Sequence, residues 1–257
     1  MRLLHIFGLP PAASTYAADI DFGLRLLFAS IIFIFFSWSV YLAYLVFRYR
    51  NKPGSRAEYE KSAGISKAMM PGAIVLVLEM ILIIVWEIPV WGKIKEEIPQ
   101  DSNKIEINVL AQQFAWNIQY PGPDGKFGRR KKELVNFSNP IGLDYNDPAA
   151  KDDVVLANEL HLPLGKMAVI HLMSMDVIHD FAVPEFRIKQ DIVPGMDIPL
   201  WITPTKVGTY DLACAQLCGF GHSLMVGHVI VQSPEDFAAW LRSKAPVSQT
   251  ASSANNF

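Results

Sequence analysis

The chain has 257 residues, enough to bury a core of its own, which excludes intrinsic disorder for most of its length. Hydrophobic residues make up 51% and charged residues 19%, and the mean hydropathy is +0.22, so a wholly soluble protein is disfavoured. A net charge of −2 gives no electrostatic reason to bind nucleic acid, and two cysteines are too few for a disulfide-stapled scaffold.

Two apolar runs predict a transmembrane helical hairpin over residues 22–92, preceded by an extracytoplasmic segment over residues 1–21. The helices are expected at about 24–47 and 71–91, and each is long enough to cross the hydrocarbon core of a bilayer. The loop between them, residues 48–70, is rich in Lys and Arg, which places it in the cytoplasm and both chain termini outside. We therefore predict a multi-pass protein of the bacterial cell (inner) membrane, in contact with lipid.

Two carboxylates lie within the second apolar run. Glu79 falls near its middle, and Glu87 follows eight residues later, about 80° around an ideal α-helix. Carboxylates at this depth are costly and usually face protein or water. Two interpretations of Glu79 stay open: a hydrogen bond across a helix interface, or a role in proton uptake.

The sequence after the hairpin predicts an all-β domain over residues 93–242. Apolar and polar residues alternate over 104–120, 167–174, 197–204 and 228–232, with turn signals between these segments. Several short strands of this kind are typical of a sandwich or small barrel. Residues 122–158 are polar and are interpreted as a surface insertion, and residues 243–257 have the composition of a flexible tail.

One segment of the β domain carries four metal-ligand side chains within twelve residues: Cys214, Cys218, His222 and Met225. This mixture of thiolates, imidazole and thioether is the set that copper prefers, whereas zinc seldom takes methionine. His179 ends a predicted strand 35 residues upstream of Cys214. The two thiolates can bridge two metals, and the set would be completed by His179, His222, Met225 and the backbone carbonyl of Gln216.

The alternative for the cysteine pair is a disulfide, which an oxidising compartment would permit. It would leave His222 and Met225 at ligand spacing without an explanation.

The stretch MDVIHDFAVPEFRIKQDIVPG, followed by CAQLCGFGHSLM, closely resembles the dicopper CuA region of cytochrome c oxidase subunit II. The hairpin resembles that subunit's membrane anchor, so the resemblance covers about residues 20–240. It implies a cupredoxin fold, a Greek-key sandwich or barrel, that holds a dinuclear CuA centre. It also implies that electrons pass from a c-type cytochrome through this centre to haem in subunit I. There dioxygen is reduced to water with proton translocation, so no catalytic residue is expected in this chain.

The chain departs from the family pattern at the interface with subunit I. The family has a glutamate between the two cysteines that binds magnesium at this interface, and here that position is Gln216. The resemblance leaves open a magnesium site formed by Gln216 and Asp176, because an amide is a poorer ligand for magnesium than a carboxylate.

A second departure concerns the electron donor. Phe114 replaces the family tryptophan at which electrons arrive, and Gln119 replaces a nearby acidic docking residue. We hypothesise that the donor is a haem c domain held in another membrane complex, as part of a supercomplex, with Phe114 or Trp116 at the point of contact. The alternative for Trp116 is ordinary sheet packing. The chain has no C-x-x-C-H motif, so no haem is expected in it.

The leading interpretation is a subunit of a cytochrome c oxidase, with subunit I and the other oxidase subunits as partners. A membrane-anchored copper carrier is the alternative from another class of protein. A quinol oxidase subunit would have lost the copper ligands, and the hairpin disfavours a soluble dicopper reductase.

Overall fold

The computed structural model describes residues 8–54, 65–96, 98–101 and 103–244. The chain divides into two compact units. A helical unit comprises Asp19–Glu97, and a β unit comprises Ile98–Phe257 together with Met1–Ala18. The N-terminal residues therefore belong to the same unit as the predicted β domain, although the hairpin separates the two in sequence.

The helical unit contains the two predicted membrane helices, each longer than expected. Helix α1 spans Ala17–Arg48, and the second helical stretch consists of α2, Ile65–Leu82, a π-helical turn, Ile83–Glu87, and α3, Ile88–Lys95. Within the described residues, two segments, Ala17–Arg48 and Met69–Lys95, are long and apolar enough to cross a membrane. Pro71 lies inside α2 and does not begin it, because the residues before it already adopt helical geometry.

The two helical stretches contact each other near the start of the first and the end of the second. The rings of Phe22 and Trp86 pack with centroids 4.5 Å apart, and Lys93 Nζ lies 3.4 Å from Asp19 Oδ2.

The π-helical turn changes the relation between Glu79 and Glu87. The N–H of Ile88 donates to the carbonyl of Ile83, so this turn holds one residue more than an α-helical turn. One additional residue rotates everything after it by about 100°. The angle of about 80° expected from a regular α-helix is therefore wrong, and the two carboxylates lie within about 20° of each other on one face.

The β unit is a sandwich of two five-stranded sheets, with strand orders β3-β2-β1-β5-β8 and β4-β10-β9-β6-β7. The pairs β1 with β5 and β4 with β10 are parallel, and the other pairs are antiparallel. The strand bounds are β1 Ile105–Gln112, β2 Ala115–Tyr120, β3 Val154–Ala157, β4 Glu159–Pro163, β5 Ala168–Ser174, β6 His179–Val183, β7 Ile188–Ile192, β8 Ile198–Ile202, β9 Gly208–Cys214 and β10 Val226–Gln232. The predicted fold class, a two-helix hairpin with an all-β cupredoxin-type domain, is confirmed.

The core lies between the two sheets, where apolar side chains from alternate strand positions meet. Trp116 of one sheet packs edge-on against Phe181 of the other, with ring centroids 5.9 Å apart, and both side chains are buried. Ile107, Leu160 and Ile170 are also fully buried in this core. The two cysteines predicted to bind metal, Cys214 and Cys218, belong to the same apolar cluster, so the candidate site lies at the edge of a well-packed core.

The predicted surface insertion ends in a strand of the β sandwich. Its last residues form β3, an edge strand paired with β2. Residues 129–132 of the insertion are all basic, and Lys131 Nζ contacts Oδ2 of the buried Asp144 carboxylate at 2.7 Å.

The C-terminal region begins with an unexpected helix, α4, Pro234–Lys244. Trp240 of this helix stacks on His161 with ring centroids 3.8 Å apart and packs against Tyr120. Two residues of the predicted tail, 243 and 244, therefore end this helix, and residues 245–257 lie outside the described residues.

The N-terminal segment of the β unit runs alongside β8 and the turn after β6. Ala13 donates its N–H to Glu185 O at 2.8 Å and accepts from Thr205 N at 2.9 Å, and its side chain is fully buried. Ser14 Oγ donates to Phe186 O at 2.8 Å. The hydrophobic pattern of this short segment does not predict that it packs against the β sandwich.

Candidate metal centre

Two neighbouring strands bring the first ligands together. His179 begins β6 and Cys214 ends β9, and these strands pair with Phe181 opposite Cys214. His179 and Phe181 share a face because side chains alternate along a strand. The loop that follows Cys214 is closed at its base by hydrogen bonds from Cys214 N to Met225 O and from Ala215 N to Asp180 O, both 3.2 Å. These bonds hold the loop close to the start of β6, where His179 lies.

The two cysteines face each other without forming a bond. Their Sγ atoms lie 3.8 Å apart, and both thiols are free and buried. A disulfide requires about 2.05 Å between its sulfurs, so the disulfide alternative does not describe this arrangement.

The remaining predicted ligands are distributed between the two sulfurs. His179 Nδ1 lies 3.9 Å from Cys214 Sγ, and His222 Nδ1 lies 3.6 Å from Cys218 Sγ. Gln216 O lies 3.1 Å from Cys214 Sγ, and Met225 Sδ lies 3.9 Å from Cys218 Sγ. The structure therefore brings all six predicted ligand groups together, with one imidazole nitrogen beside each sulfur.

Second-sphere contacts hold His179 in a defined orientation. Its ring is completely buried, and its Nε2 lies 2.8 Å from Asp176 Oδ1. The other oxygen, Asp176 Oδ2, accepts the N–H of Gln113 at 2.7 Å. A carboxylate partner at Nε2 favours the tautomer with its proton there, which leaves the Nδ1 lone pair facing the sulfurs.

The electrostatics of this carboxylate reflect opposing effects. Partial burial raises the pKa of Asp176, but hydrogen bonds from His179, Gln113 and Val177 outweigh it, and the pKa is lowered overall. Asp176 therefore faces His179 as a carboxylate.

The pKa of the Cys218 thiol is shifted in the opposite direction to that of the Asp176 carboxylate. Burial first, and then the neighbouring Cys214, raise the pKa of Cys218 to about 11. Without a metal this thiol keeps its proton at neutral pH, and a metal that binds here must displace that proton.

The turn between β1 and β2 supports the metal-ligand loop from the opposite sheet. Gln113 Nε2 donates to Cys218 O at 2.6 Å. The Phe114 ring lies so close to the loop that a Cβ on Gly221 would be 2.5 Å from Phe114 Cδ2. Gly219 has a φ of +137°, which also favours glycine. Sequence reasoning did not single out Gln113 or these two glycines; the G-x-G spacing between two ligands was the available signal.

The two aromatic residues predicted to meet the donor differ in exposure. Phe114 is 37% exposed, whereas Trp116 is completely buried. The Trp116 ring lies edge-on to His179 with centroids 6.5 Å apart, between the metal ligand and the core. Of the pair, only Phe114 reaches the surface of the chain, and Trp116 packs in the sheet as its alternative interpretation states.

The other predicted site residues lie at the surface of the chain. The Gln216 side chain is exposed, and both oxygens of Asp176 already accept hydrogen bonds. Glu79 is exposed on the helical unit. Within the described residues, the structure groups three metal-ligating His, Cys, Asp or Glu side chains in one place: His179, Cys214 and Cys218, whose ligand atoms lie within 4.8 Å of one another.

Comparison with known proteins gives one consistent result. A family profile described as "Cytochrome C oxidase subunit II, periplasmic domain" matches residues 105–233. The "Alternative cytochrome c oxidase subunit 2" of Bradyrhizobium diazoefficiens is 37% identical over 256 residues, which cover 93% of this chain and 86% of that protein. The "Cytochrome c oxidase subunit 2" of Cereibacter sphaeroides is 28% identical over 251 residues, which cover 91% of this chain and 78% of that protein.

Among solved structures, the periplasmic domain of subunit II of cytochrome oxidase from Bradyrhizobium japonicum matches with 26% identity and a TM-score of 0.42. The match covers 58% of this chain and 96% of that one.

Proposed function

Because this chain belongs to the cytochrome c oxidase subunit II family, we propose that its β unit holds a dinuclear copper centre of the CuA type. The centre would accept electrons from a c-type cytochrome and pass them to haem in subunit I, where dioxygen is reduced to water with proton translocation. The observation that carries the proposal is the pair of cysteine sulfurs 3.8 Å apart with an imidazole nitrogen beside each.

The ligand chemistry fits two coppers better than one. A single electron-transfer copper needs one thiolate, two histidines and a weak axial ligand, and this site offers a second thiolate. If both cysteines held two coppers, His179 and His222 would supply the imidazoles, and Met225 and the carbonyl of Gln216 would supply the weak ligands. The groups that would hold the centre are His179, Cys214, Cys218, His222, Met225 and the carbonyl of Gln216.

When bound, such a centre shares one electron between two metals, so bond lengths change little on each transfer. The chain's own residues keep the ligands in place during that transfer. Asp176 holds His179 through Nε2, Gln113 holds the carbonyl of Cys218, and the hydrogen bond from Cys214 N to Met225 O closes the loop. Rigid ligands in a buried site favour rapid electron transfer, both when the centre accepts an electron and when it gives one up.

The copper carrier remains the competing function. A carrier needs a site that exchanges its metal readily, whereas His179, Cys214 and Cys218 are buried here. We expect copper in the full-length chain to resist a competing chelator for hours. Complete exchange within minutes would favour the carrier and would contradict a permanent redox centre.

For the donor, we keep the hypothesis of a haem c domain held in a membrane complex. The segments 112–118 and 215–226 contain no Lys, Arg, Asp or Glu, and the one carboxylate described beside the site, Asp176, already accepts hydrogen bonds at both oxygens. Without such charges there is little long-range steering of a soluble cytochrome. Oxidation of soluble cytochrome c should be slow and should change little with ionic strength, and fast turnover with a steep salt dependence would contradict this hypothesis.

The location and the remaining partners follow the family proposal. The two helices would anchor the chain in the bacterial inner membrane, with the β unit and both termini on the extracytoplasmic side and subunit I beside the hairpin. A magnesium ion held by Asp176 and Gln216 at that interface stays an open proposal. Magnesium analysis of the purified oxidase and of a Gln216→Leu variant tests this proposal. If Gln216 helps to hold the ion, the variant must lose it.

A further inference from the structure

The outer face of the second sheet carries metal-ligating side chains on three neighbouring strands. The pairing of the strands sets Glu159 of β4 beside His228 of β10, and His228 opposite Asp211 of β9. His161 follows Glu159 by two positions in β4, so both side chains lie on the same face. The positions that alternate with these residues hold core side chains: Leu160, Leu212 and Val229. We call Glu159, His161, Asp211 and His228 the outer-face cluster.

His161 is held with one ring nitrogen engaged and the other without a partner. Its Nδ1 lies 2.9 Å from Gln232 Oε1, and its ring stacks on Trp240 of α4. An amide oxygen at Nδ1 favours the tautomer that carries its proton there, which leaves a lone pair on Nε2. This Nε2 is buried, and it has no hydrogen-bond partner among the described residues. A buried acceptor of this kind is costly unless a proton or a metal ion occupies it.

A carboxylate faces this nitrogen at a distance that suits a shared cation. Glu159 Oε2 lies 3.8 Å from His161 Nε2, which is too far for a hydrogen bond. Ligand atoms bound at about 2.0 Å to a tetrahedral zinc ion lie about 3.3 Å from each other. The Glu159 side chain is half-exposed, so a small rotation closes this pair of atoms on an ion.

A second imidazole lies beside this pair. The backbone N–H of His228 donates to Asn158 O at 2.8 Å, which fixes His228 next to Glu159. Neighbouring strands are about 4.8 Å apart, so rotation of the exposed His228 side chain brings its ring to the same ion. His228 Nδ1 lies 3.6 Å from Asp211 Oδ1, which adds a second carboxylate on this face.

We propose that the outer-face cluster binds one zinc ion. The ligands are His161 Nε2, the Glu159 carboxylate and a ring nitrogen of His228, with Asp211 or a water molecule in the fourth position. Two imidazoles with carboxylates are a ligand set that zinc takes, and the set lacks the thiolates and thioether of the candidate copper centre. The two sites share no residue, so the inference does not rest on the proposed function. The ion would join β4, β9 and β10.

The test measures zinc binding to the purified full-length chain after it has been loaded with copper. Zinc chloride is the probe, equilibrium dialysis gives the affinity, and elemental analysis gives the number of ions per chain. Glu159→Gln and His228→Gln each remove one ligand whose side chain is exposed, so both variants should fold. His171→Gln is the matched control, since this imidazole lies 3.1 Å from the Asp197 carboxylate but on the first sheet.

We expect one zinc ion per chain outside the cysteine site. Glu159→Gln and His228→Gln should each lower its affinity at least about tenfold, and His171→Gln should leave it unchanged. Zinc should also raise the melting temperature of the unmodified chain more than that of His228→Gln.

The inference would be overturned by an unmodified chain that binds no zinc outside the cysteine site, or by an unchanged affinity in Glu159→Gln or His228→Gln. Loss of this zinc in Cys218→Ser would also overturn it, because the ion would then belong to the candidate copper centre.

Discussion

Gly221 is a position where one added methyl group would disturb the metal-ligand loop. Because its Cβ would lie 2.5 Å from the Phe114 ring, Gly221→Ala must displace the ring or the loop. We expect a loss of about 1–3 kcal/mol in the free energy of unfolding and a changed copper spectrum. Gly72→Ala is the control, since a Cβ on this helical glycine would have nothing within 4 Å. An unchanged spectrum and stability for Gly221→Ala would contradict the tight packing.

Asp176 is in contact with a predicted copper ligand, His179. Replacing it with asparagine removes the charge that fixes His179 through Nε2, and the changed hydrogen bond loosens the ring. Loss of such a partner typically lowers metal affinity about 10- to 100-fold, which competition with a chelator measures. Asp211→Asn, on an 88% exposed side chain, should leave the affinity unchanged. Equal affinities for both variants would mean that Asp176 does not position His179.

The N-terminal segment is an element of the β unit. Ala13 has no exposed surface and packs in the main core, whereas Thr15 two residues later is exposed. A carboxylate at position 13 would be buried without a partner, at a cost of about 3 kcal/mol or more. Thermal unfolding of the full chain should therefore show a clearly lower melting temperature for Ala13→Asp and little change for Thr15→Asp. Similar melting temperatures for the two variants would mean that the segment does not pack as described.

The second membrane helix presents two carboxylates on one face, because the π-helical turn between them shifts the register. We expect this face to contact another membrane helix, where a neutral, hydrogen-bonding side chain suffices. Glu79→Gln should then keep subunit I, full turnover and proton translocation, and Glu79→Leu should lose subunit I on purification. A Glu79→Gln oxidase that assembles but no longer translocates protons would instead support the proton-uptake interpretation.

At the scale of the whole molecule, the sequence predicted features that depend on composition and spacing. The membrane helices followed from two long, predominantly apolar runs, and the ligands followed from four soft side chains within twelve residues. These signals are local, so a single sequence is sufficient to find them.

Features that depend on long-range packing were not predictable in the same way. Phe114 and Trp116 are only two residues apart, yet one is at the surface and the other in the core, because Phe114 lies in the turn before β2 and Trp116 lies within the strand. Ala13 packs on a turn more than 170 residues away in the chain, as the Ser14 to Phe186 hydrogen bond also shows, with a separation of 172 residues. The π-helical turn is a matter of backbone hydrogen bonding, as between Ile88 N–H and Ile83 O, and no apolar pattern marks it.

We propose that Cys214 and Cys218 would together hold two coppers. Electron paramagnetic resonance of the copper-loaded full-length chain, with copper analysis on the same sample, tests it most directly. We predict two coppers per chain and a hyperfine pattern from one unpaired electron shared equally between both nuclei, which Cys218→Ser should abolish. A pattern from a single copper nucleus in the unmodified chain would contradict a dinuclear centre.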